Sequence, residues 1–201
     1  MSNSILDSGN RTVFYDKSGK PMGQRDIQED KGRFDLIPLD VVADWLEMRG
    51  VTKEYTDVLR SIEQYKNTKD YMYLMDALTN FEIATEMTGY EILDEVSIHY
   101  RDGASKYQED NWRNGLPVKS YLSSACRHFC KFVYGHKDEP HHRGFIWNIL
   151  GALWTIEHKP ELIDAPFDTN NESQNGSNMQ HSETKCCGME QYIHSRFERV
   201  M

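Results

Sequence analysis

The feature that most constrains the fold is an apolar segment at residues 145–156, in which large hydrophobic side chains occur on almost every side of a helix. A helix that is apolar all round is buried, so this segment should lie at the centre of the domain. One side of the same helix carries small or polar residues instead: His141, Gly144, Asn148, Gly151 and Thr155. Glycine there would let another helix or a ligand approach the backbone closely. We predict a central helix over residues 141–158.

Five further segments have apolar residues at helical spacing. The residues that mark where the first four of these helices begin or end are, in chain order, Pro38, Gly50, Thr52, Asp70 and Tyr90. The next helix covers about residues 119–134, and residues 102–117 before it are rich in Gly, Asn and Asp, which predicts a loop. Because alternation of β-branched residues is nearly absent, we predict an all-α fold, a helical bundle.

Composition limits the classes of function. At 201 residues the chain has room for one globular domain with extended termini. The formal net charge of −9 argues against a protein that binds DNA or RNA, because such binding depends on neutralising phosphates with Lys and Arg. It does not exclude a small phosphorylated ligand, since a divalent ion can bridge protein carboxylates to phosphate.

The sequence gives no sign of a membrane or secreted protein. No apolar run reaches the length of about 18 residues that a membrane span needs, and the polar start lacks the apolar core of a signal peptide. The four cysteines form no disulfide framework, because Cys126 and Cys130 lie one helical turn apart and Cys186 is adjacent to Cys187. We expect a cytoplasmic protein with reduced thiols.

The core domain is predicted to cover residues 33–160. Residues 1–32 show no periodicity and are predicted to be a flexible arm. Residues 161–185 are rich in Asn, Ser, Gln and Glu, which predicts a solvated linker too polar to bury itself. Residues 186–201 include apolar side chains at helical spacing and are predicted to form a short helix that docks on the core or on a second subunit.

The fourth predicted helix places Glu91, Asp94 and Glu95 at i, i+3 and i+4, so three carboxylates crowd one side of a single turn. Like charges at this spacing repel unless solvent screens them or a cation lies among them. Mg²⁺ prefers oxygen ligands and usually binds one or two carboxylates together with substrate phosphates. The turn is therefore either a solvated acidic face or a metal site.

The predicted loop contains Lys106, Asn111 and Trp112. A cation for phosphate, an amide for a base edge and an aromatic ring for a base would suit a nucleotide. Alternatively, the loop is held by its own Asn turns while Trp112 fills the core. The residues alone leave both interpretations open.

Arg127 and His128 lie on the fifth core helix, beside its apolar stripe. Arginine can bind phosphate with a planar, permanently charged group, and histidine can donate to phosphate or transfer a proton. A histidine next to an apolar stripe is also common as a satisfied core residue. Because His128 does not share a helix face with Cys126 and Cys130, no zinc site is expected from these three.

The last core helix adds two further candidates. A buried Asn148 must find hydrogen-bond partners or cost about 1–3 kcal/mol, so it either joins helices or contacts a ligand. His141 lies on the same side of the helix. In the preceding segment, Asp138 and Glu139 offer oxygen ligands that could face the fourth helix.

The order of these motifs resembles the phage and bacterial family named for dATP/dGTP diphosphohydrolases, which is usually placed near the MazG-like all-α nucleotide pyrophosphohydrolases. The matching motifs are, in chain order, Arg33-Phe34-Asp35-Leu36-Ile37-Pro38, Lys106-Tyr107 with Asn111-Trp112 and Gly115, Arg127-His128, Asp138-Glu139 with His141, and Trp147-Asn148. The resemblance covers residues 33–39 and about 93–157. It implies that residues 41–90 are a helical insertion and that Gly144 replaces a second histidine of the family.

The resemblance implies cleavage of a (d)NTP, dATP or dGTP, between its α- and β-phosphates to give (d)NMP and pyrophosphate. It implies Mg²⁺, or Mn²⁺, held by Glu91, Asp94 and Glu95 with help from Asp138 or Glu139. The residues expected to stabilise charge on the phosphoryl oxygens are Lys106, Arg127 and His128.

The same resemblance implies that the base and sugar of the nucleotide contact Asn111, Trp112, His141 and Asn148. The expected partners are a small nucleotide and further copies of the chain in a homo-oligomer, with no nucleic-acid polymer and no membrane. If the gene is carried by a phage, the compartment is the host cytoplasm. The alternative function is a catalytically silent nucleotide-binding phage protein that sequesters a signalling nucleotide.

Overall fold

The computed structural model describes residues 12–15, 21–25 and 31–165. The α-helices within these ranges are α1 (Leu39–Met48), α2 (Lys53–Thr68), α3 (Met72–Thr85), α4 (Gly89–Tyr107), α5 (Val118–Val133) and α6 (His141–His158). Short 3-10 helices cover Phe34–Leu36, Asn111–Asn114 and Pro160–Leu162. The predicted all-α fold is confirmed. The linker and terminal helix predicted after residue 165, and most of the predicted arm, lie outside the described residues.

The helix boundaries agree with the sequence signals except at two places. Helix α4 continues to Tyr107, so the loop predicted from residue 102 was wrong over its first turns, because Gly103 is tolerated inside the helix. The N-cap of α3 is Tyr71 rather than Asp70. The Asp70 side chain still accepts a hydrogen bond from the Met72 amide at 3.0 Å, so it stabilises the start of the helix from one position earlier.

Helices α5 and α6 form the centre of the bundle, as the apolar pattern of residues 145–156 predicts. Gly151 lies against the Tyr121 ring so closely that a Cβ at this position would come within 2.5 Å of the ring carbon Cε1. Helices α1 to α3 belong to the same core, since Phe81 packs against Phe145 with ring centroids 4.6 Å apart. Residues 41–90 are therefore integrated with the helices that carry the motifs.

A small hairpin was not predicted. Strand β1 (Thr12–Tyr15) pairs antiparallel with β2 (Pro21–Arg25). The Gly23 amide donates a hydrogen bond of 2.7 Å to the Gly115 carbonyl, which joins the hairpin to the Asn111–Asn114 segment. A Cβ on Gly23 would lie 2.9 Å from that carbonyl oxygen, so this close approach requires glycine.

One apolar face of α1 is exposed. Leu39, Ala43 and Leu46 are buried, whereas Trp45 and Met48 are exposed on another side. Val41 is also exposed, one helical turn before Trp45.

No helix in the described part of the chain is long and apolar enough to cross a membrane.

Candidate functional site

The candidate site lies where Gly144 lets α6 approach α5 closely. Gly144 on α6 faces His128 on α5, and a Cβ at position 144 would lie 2.7 Å from the Nδ1 atom of His128. Any larger residue would therefore displace the imidazole. The glycine makes room for His128 between the two helices, which are otherwise joined by apolar packing.

Three side chains meet at this point: His128 on α5, Glu139 in the loop before α6, and His141 at the start of α6. The two Nδ1 atoms of the histidines are 3.2 Å apart. The Oε1 atom of Glu139 lies 3.5 Å from Nδ1 of His128 and 3.4 Å from Nδ1 of His141. Each residue thus offers one possible metal-ligating atom to a nearly equilateral triangle, which we call the His-Glu-His triangle.

The orientation of His141 is fixed from its other side. Its Nε2 donates to Oδ1 of Asp138 at 2.9 Å, and Asp138 also accepts from Nζ of Lys131 at 2.6 Å. The Lys131 ammonium, and then His141, hold the pKa of Asp138 well below its usual range, so this carboxylate is an acceptor at neutral pH. Because Nε2 of His141 carries the proton, Nδ1 of the neutral ring is left with a lone pair directed at the triangle.

An open cleft of about 630 Å³ lies against the triangle. Its lining residues include cations and anions as well as Phe34 and Tyr134; the charged or titratable ones are Lys31, Arg127, Lys131, His136, Asp138 and Glu139. Three permanently cationic side chains against two carboxylates give the cleft a positive balance, although the whole chain carries −9. Such a cleft attracts anions.

Arg127 is the half-buried cation of this cleft. Burial lowers the pKa of its guanidinium, and nearby Glu139 opposes that shift. Its Nη2 donates to Oγ of Ser124 at 3.1 Å, and no carboxylate of the described residues forms an ion pair with it. A partly desolvated guanidinium with no ion-pair partner among the described residues is suited to bind an anionic ligand.

The acidic turn of α4 is engaged elsewhere. Glu91 forms a capping box with Thr88 at the start of the helix: its Oε2 accepts from the Thr88 amide at 2.8 Å. Glu95 accepts from His142 at 2.8 Å and from Arg143, which joins α4 to α6. Asp94 is exposed. None of the three lines the cleft.

From the sequence, Asp138 and Glu139 were expected to be able to face the fourth helix, but the structure places them elsewhere. Their contacts are with Lys131, His128 and His141 on α5 and α6. The segment of residues 136–139 is short. The histidines and the lysine on the helices at its two ends therefore lie within reach of these two carboxylates.

The residues of the 106–112 segment lie among aromatic rings. Trp112 makes edge-on contacts with Tyr100 and Trp154, at centroid distances of 5.7 and 5.2 Å, and the Arg113 guanidinium covers its ring at 5.0 Å. Lys106 is exposed, with its ammonium 5.1 Å from the centre of the Tyr107 ring. Trp112 is therefore partly buried between α4 and α6 and does not line the cleft.

Asn148 is buried on α6, and its Nδ2 donates to the Gly144 carbonyl at 2.6 Å. It therefore supports the turn of α6 that faces His128. Three of the predicted site residues, Arg127, Asp138 and Glu139, thus line the cleft, and Glu139 also belongs to the triangle with His128 and His141.

Residues 82–165 match the model of the family described as dATP/dGTP diphosphohydrolase, N-terminal. Over these residues the chain is similar to that family. The matched region contains α4, α5 and α6 and all the residues of the cleft except those before α1. No curated protein and no solved structure matches the chain.

The dATP/dGTP diphosphohydrolase resemblance predicted from the motifs is confirmed. The family name points to a small-molecule nucleotide as the ligand class. The relation to MazG-like enzymes stays a prediction, as do the roles assigned to individual residues.

Lys131 lines the cleft but was not predicted as a site residue, although its spacing from Arg127 could have indicated it. It follows Arg127 by four positions, so the two cations lie on one face of α5. Phe34 and Lys31 had no such signal, because they reach the cleft from the segment before α1. That segment is held in place partly by the Phe34 amide, which donates to Oγ of Ser123 on α5 at 3.0 Å.

Proposed function

We propose that this protein hydrolyses a (d)NTP, with dATP and dGTP as first candidates, to (d)NMP and pyrophosphate. The observation that carries the proposal is the family match over residues 82–165. The cleft between α5 and the start of α6 supports it, because a positive concave surface in an acidic protein suits a polyphosphate. Its volume of about 630 Å³ lies within the usual range for small-ligand sites, about 300–1,000 Å³.

In this proposal Arg127 and Lys131 bind the phosphates. Arg127 supplies a planar guanidinium that already has lost part of its water, so little further desolvation is needed when phosphate arrives. Lys131 contributes a second charge one helical turn away, although its ammonium also holds Asp138. Both cations would stabilise the negative charge that develops on the phosphoryl oxygens during cleavage.

The reaction requires a water oxygen to form a bond with the α-phosphorus. The bond between that phosphorus and the α–β bridging oxygen breaks, pyrophosphate leaves with this oxygen, and one proton of the water is released. The chain's contribution would be to hold the phosphates in line and to neutralise them, which is the main form of catalysis in phosphoryl transfer.

Dependence on Mg²⁺ or Mn²⁺ is part of the proposal. The described structure does not gather the acidic turn of α4 at the cleft, because Glu91 and Glu95 are held by Thr88, His142 and Arg143. Magnesium would therefore enter bound to the triphosphate, which is how proteins commonly receive this ion. Glu139, half-exposed on the cleft wall, is the carboxylate placed to meet it.

We also propose that the protein is a homo-oligomer. Val41, Trp45 and Met48 are exposed on α1, and exposed large apolar side chains on one helix are typical of protein interfaces. Changing Trp45 to Glu should lower the molecular mass measured by light scattering to that of a monomer, whereas an unchanged mass contradicts this assembly.

The test of the enzymatic proposal is to incubate the purified full-length protein with each dNTP and Mg²⁺ and to separate the products by chromatography. We expect dNMP and pyrophosphate in equal amounts. Changing Arg127 to Met should lower kcat/KM by at least about 100-fold, a loss typical of removing one charge-stabilising group.

The matched control is Arg101→Met, since Arg101 is an exposed arginine of α4 that pairs with Asp102 away from the cleft. Release of dNDP and phosphate would contradict the proposed bond cleavage. Binding of a nucleotide without any turnover would favour the silent nucleotide-binding protein instead.

A further inference from the structure

We infer that His128, Glu139 and His141 form a binding site for one zinc-class divalent ion, Zn²⁺ or Co²⁺, with a fourth position left for water or phosphate. The residues come from α5, from the loop before α6 and from the first residue of α6, and Glu139 lines the cleft. The site differs in position and in ligand type from the magnesium site expected on the acidic turn of α4.

The dimensions of the His-Glu-His triangle carry the inference. Its edges measure 3.2, 3.4 and 3.5 Å. Four tetrahedral ligands at about 2.0–2.1 Å from an ion are separated from each other by about 3.3–3.4 Å. Adjacent ligands of an octahedral ion at the Mg²⁺ distance, about 2.0–2.1 Å, are only about 2.8–3.0 Å apart. The observed edges agree with three corners of a tetrahedron.

The chemical types of the three ligands indicate the same class of ion as the distances between them. Two imidazoles and one carboxylate are a frequent set in zinc sites that keep an open position, whereas Mg²⁺ prefers oxygen ligands and retains its waters. Imidazole generally selects Zn²⁺ and other late first-row metals. A magnesium ion therefore does not fit this triangle.

The surroundings of His141 also resemble those of a metal ligand. Its Nε2 donates to Asp138, and this is the arrangement that orients metal-binding histidines and increases the basicity of the ligating nitrogen. The contact leaves the Nδ1 lone pair directed at His128 and Glu139. His141 is almost completely buried, with 1% of its side chain exposed, so the orientation is fixed by packing as well.

The two facing Nδ1 atoms at 3.2 Å need either a proton or a cation between them, because two lone pairs at that distance repel. In the metal-free protein, Nδ1–H of His128 can donate to Nδ1 of His141. A zinc ion would replace that proton, with Glu139 completing the set of ligands. The metal-free and metal-bound forms therefore use the same side-chain positions, and little rearrangement is required.

The test measures binding of the metal alone, by isothermal titration of chelator-treated full-length protein with Zn²⁺ and separately with Mg²⁺. The protein carries Cys186→Ser and Cys187→Ser, so that the adjacent thiols in the terminal segment do not contribute. We expect one equivalent of Zn²⁺ to bind at least about 100-fold more tightly than Mg²⁺, in line with the ligand preferences of the two ions. Co²⁺ should give the intense visible absorption of a tetrahedral site.

Two variants test whether the triangle is the site. Glu139→Gln replaces a half-exposed ligand without changing its size, and Gly144→Ala places a methyl group against His128 without removing any ligand. Each should weaken Zn²⁺ binding by at least about 10-fold, the range known for disturbed metal sites. Glu161→Gln, an exposed carboxylate after α6, is the control and should bind like the parent protein.

Unchanged zinc affinity in both variants, or a Co²⁺ spectrum of the weak octahedral type, would overturn the inference. Circular dichroism of each variant verifies that the helices are intact. Hydrolysis of dNTP with Mg²⁺ is measured on the same samples. If the parent protein hydrolyses dNTP but binds no Zn²⁺, only this inference fails, whereas if it binds Zn²⁺ but hydrolyses no dNTP, only the proposed function fails.

Discussion

Two clusters of ionisable side chains in this protein differ in how they are assembled. The acidic turn of α4 (Glu91, Asp94 and Glu95) arises from helical spacing alone. The His-Glu-His triangle needs α5, the loop after it and α6 to be packed together. The first cluster is evident in the sequence, and the second exists only in the fold.

Their surroundings differ in the same way. Glu91 caps its own helix, and Glu95 joins α4 to Arg143, so these carboxylates serve local stability. In the triangle, by contrast, two imidazole nitrogens and a carboxylate oxygen converge beside a positive cleft. Charged residues at helical spacing therefore indicate a functional site less strongly than polar atoms that converge from different structural elements.

The largest difference expected between the clusters is in catalysis. Glu139→Gln should lower the rate of dNTP hydrolysis by about 100-fold, because Glu139 is the carboxylate placed to meet the Mg²⁺ of the substrate. Glu91→Gln should leave it within about 2-fold, because Glu91 is exposed and accepts hydrogen bonds from Thr88. Steady-state kinetics of both variants with dATP and dGTP measure the contrast.

The reverse result would exchange the roles of the two clusters. If Glu91→Gln abolished turnover while Glu139→Gln did not, the prediction from the sequence that the acidic turn binds the metal would be correct. Glu91 would then have to leave its capping box when substrate binds. Measuring both variants at saturating Mg²⁺ separates a lost metal ligand from a lost phosphate contact.

The second contrast concerns two glycines of α6. In Gly151→Ala the new Cβ would lie 2.5 Å from the Tyr121 ring in the core, and we expect a loss of about 1–3 kcal/mol in the free energy of unfolding. Gly144→Ala should cost less, because the His128 side chain is partly exposed whereas Tyr121 is fully buried. Urea unfolding measures both, with Gly103→Ala as a control.

Gly103 is suited to that purpose because it lies inside α4 with nothing within 4 Å of an added Cβ. Alanine there should be neutral or should stabilise the helix by up to about 1 kcal/mol. A smaller loss for Gly151→Ala than for Gly144→Ala would contradict the view that the core is rigid and the site adaptable.

These contrasts show how much the sequence could predict. The helices were predictable because apolar spacing and the end signals at Pro38, Gly50 and Thr52 are local. Arg127, His128 and His141 were predictable as site candidates from their motifs. Their geometry was not, since it depends on Gly144 facing His128 across a helix interface.

The hairpin and the contacts of Glu95 were unpredictable for the same reason. The hairpin is joined to the bundle by a backbone hydrogen bond from Gly23 to Gly115, which side-chain patterns do not reveal. Glu95 and its partner Arg143 are separated by 48 residues. Sequence spacing identifies which side of one helix a residue occupies, but not which residue of another helix meets it.

A third prediction concerns the pH dependence of the α4–α6 contact. Hydrogen bonds from Arg143 and then His142 hold the pKa of Glu95 below its ordinary value of 4.5. The contact therefore stabilises the fold fully at pH values above 4.5. This stabilisation is lost as the pH falls through the lowered pKa of Glu95. Glu95→Gln should cost about 1 kcal/mol at neutral pH and progressively less under acid conditions, as measured by urea unfolding.

Asp102→Asn is the matched control, because Asp102 pairs with Arg101 on the exposed side of α4. Its effect should stay within about 0.5 kcal/mol, as is usual for surface pairs. A Glu95→Gln effect that does not diminish in acid would mean that the side chain contributes through packing rather than through its charge.

The smallest effect is expected at the start of α4. Thr88→Ala removes the hydroxyl that accepts from the Glu91 amide at 3.3 Å and donates to its carboxylate at 2.9 Å, and should cost about 1 kcal/mol, the usual loss for a helix cap. Because Thr88 and Glu91 act as one capping box, the double variant with Glu91→Gln should lose less than the two single losses added together. Urea unfolding with and without Mg²⁺ completes the comparison. An ion bound by the acidic turn would stabilise the parent protein by an amount that rises with the logarithm of the ion concentration above Kd, and Glu91→Gln would abolish that gain. Equal unfolding curves with and without the ion would leave Glu91 as a capping residue and place the search for the metal at the α5–α6 cleft.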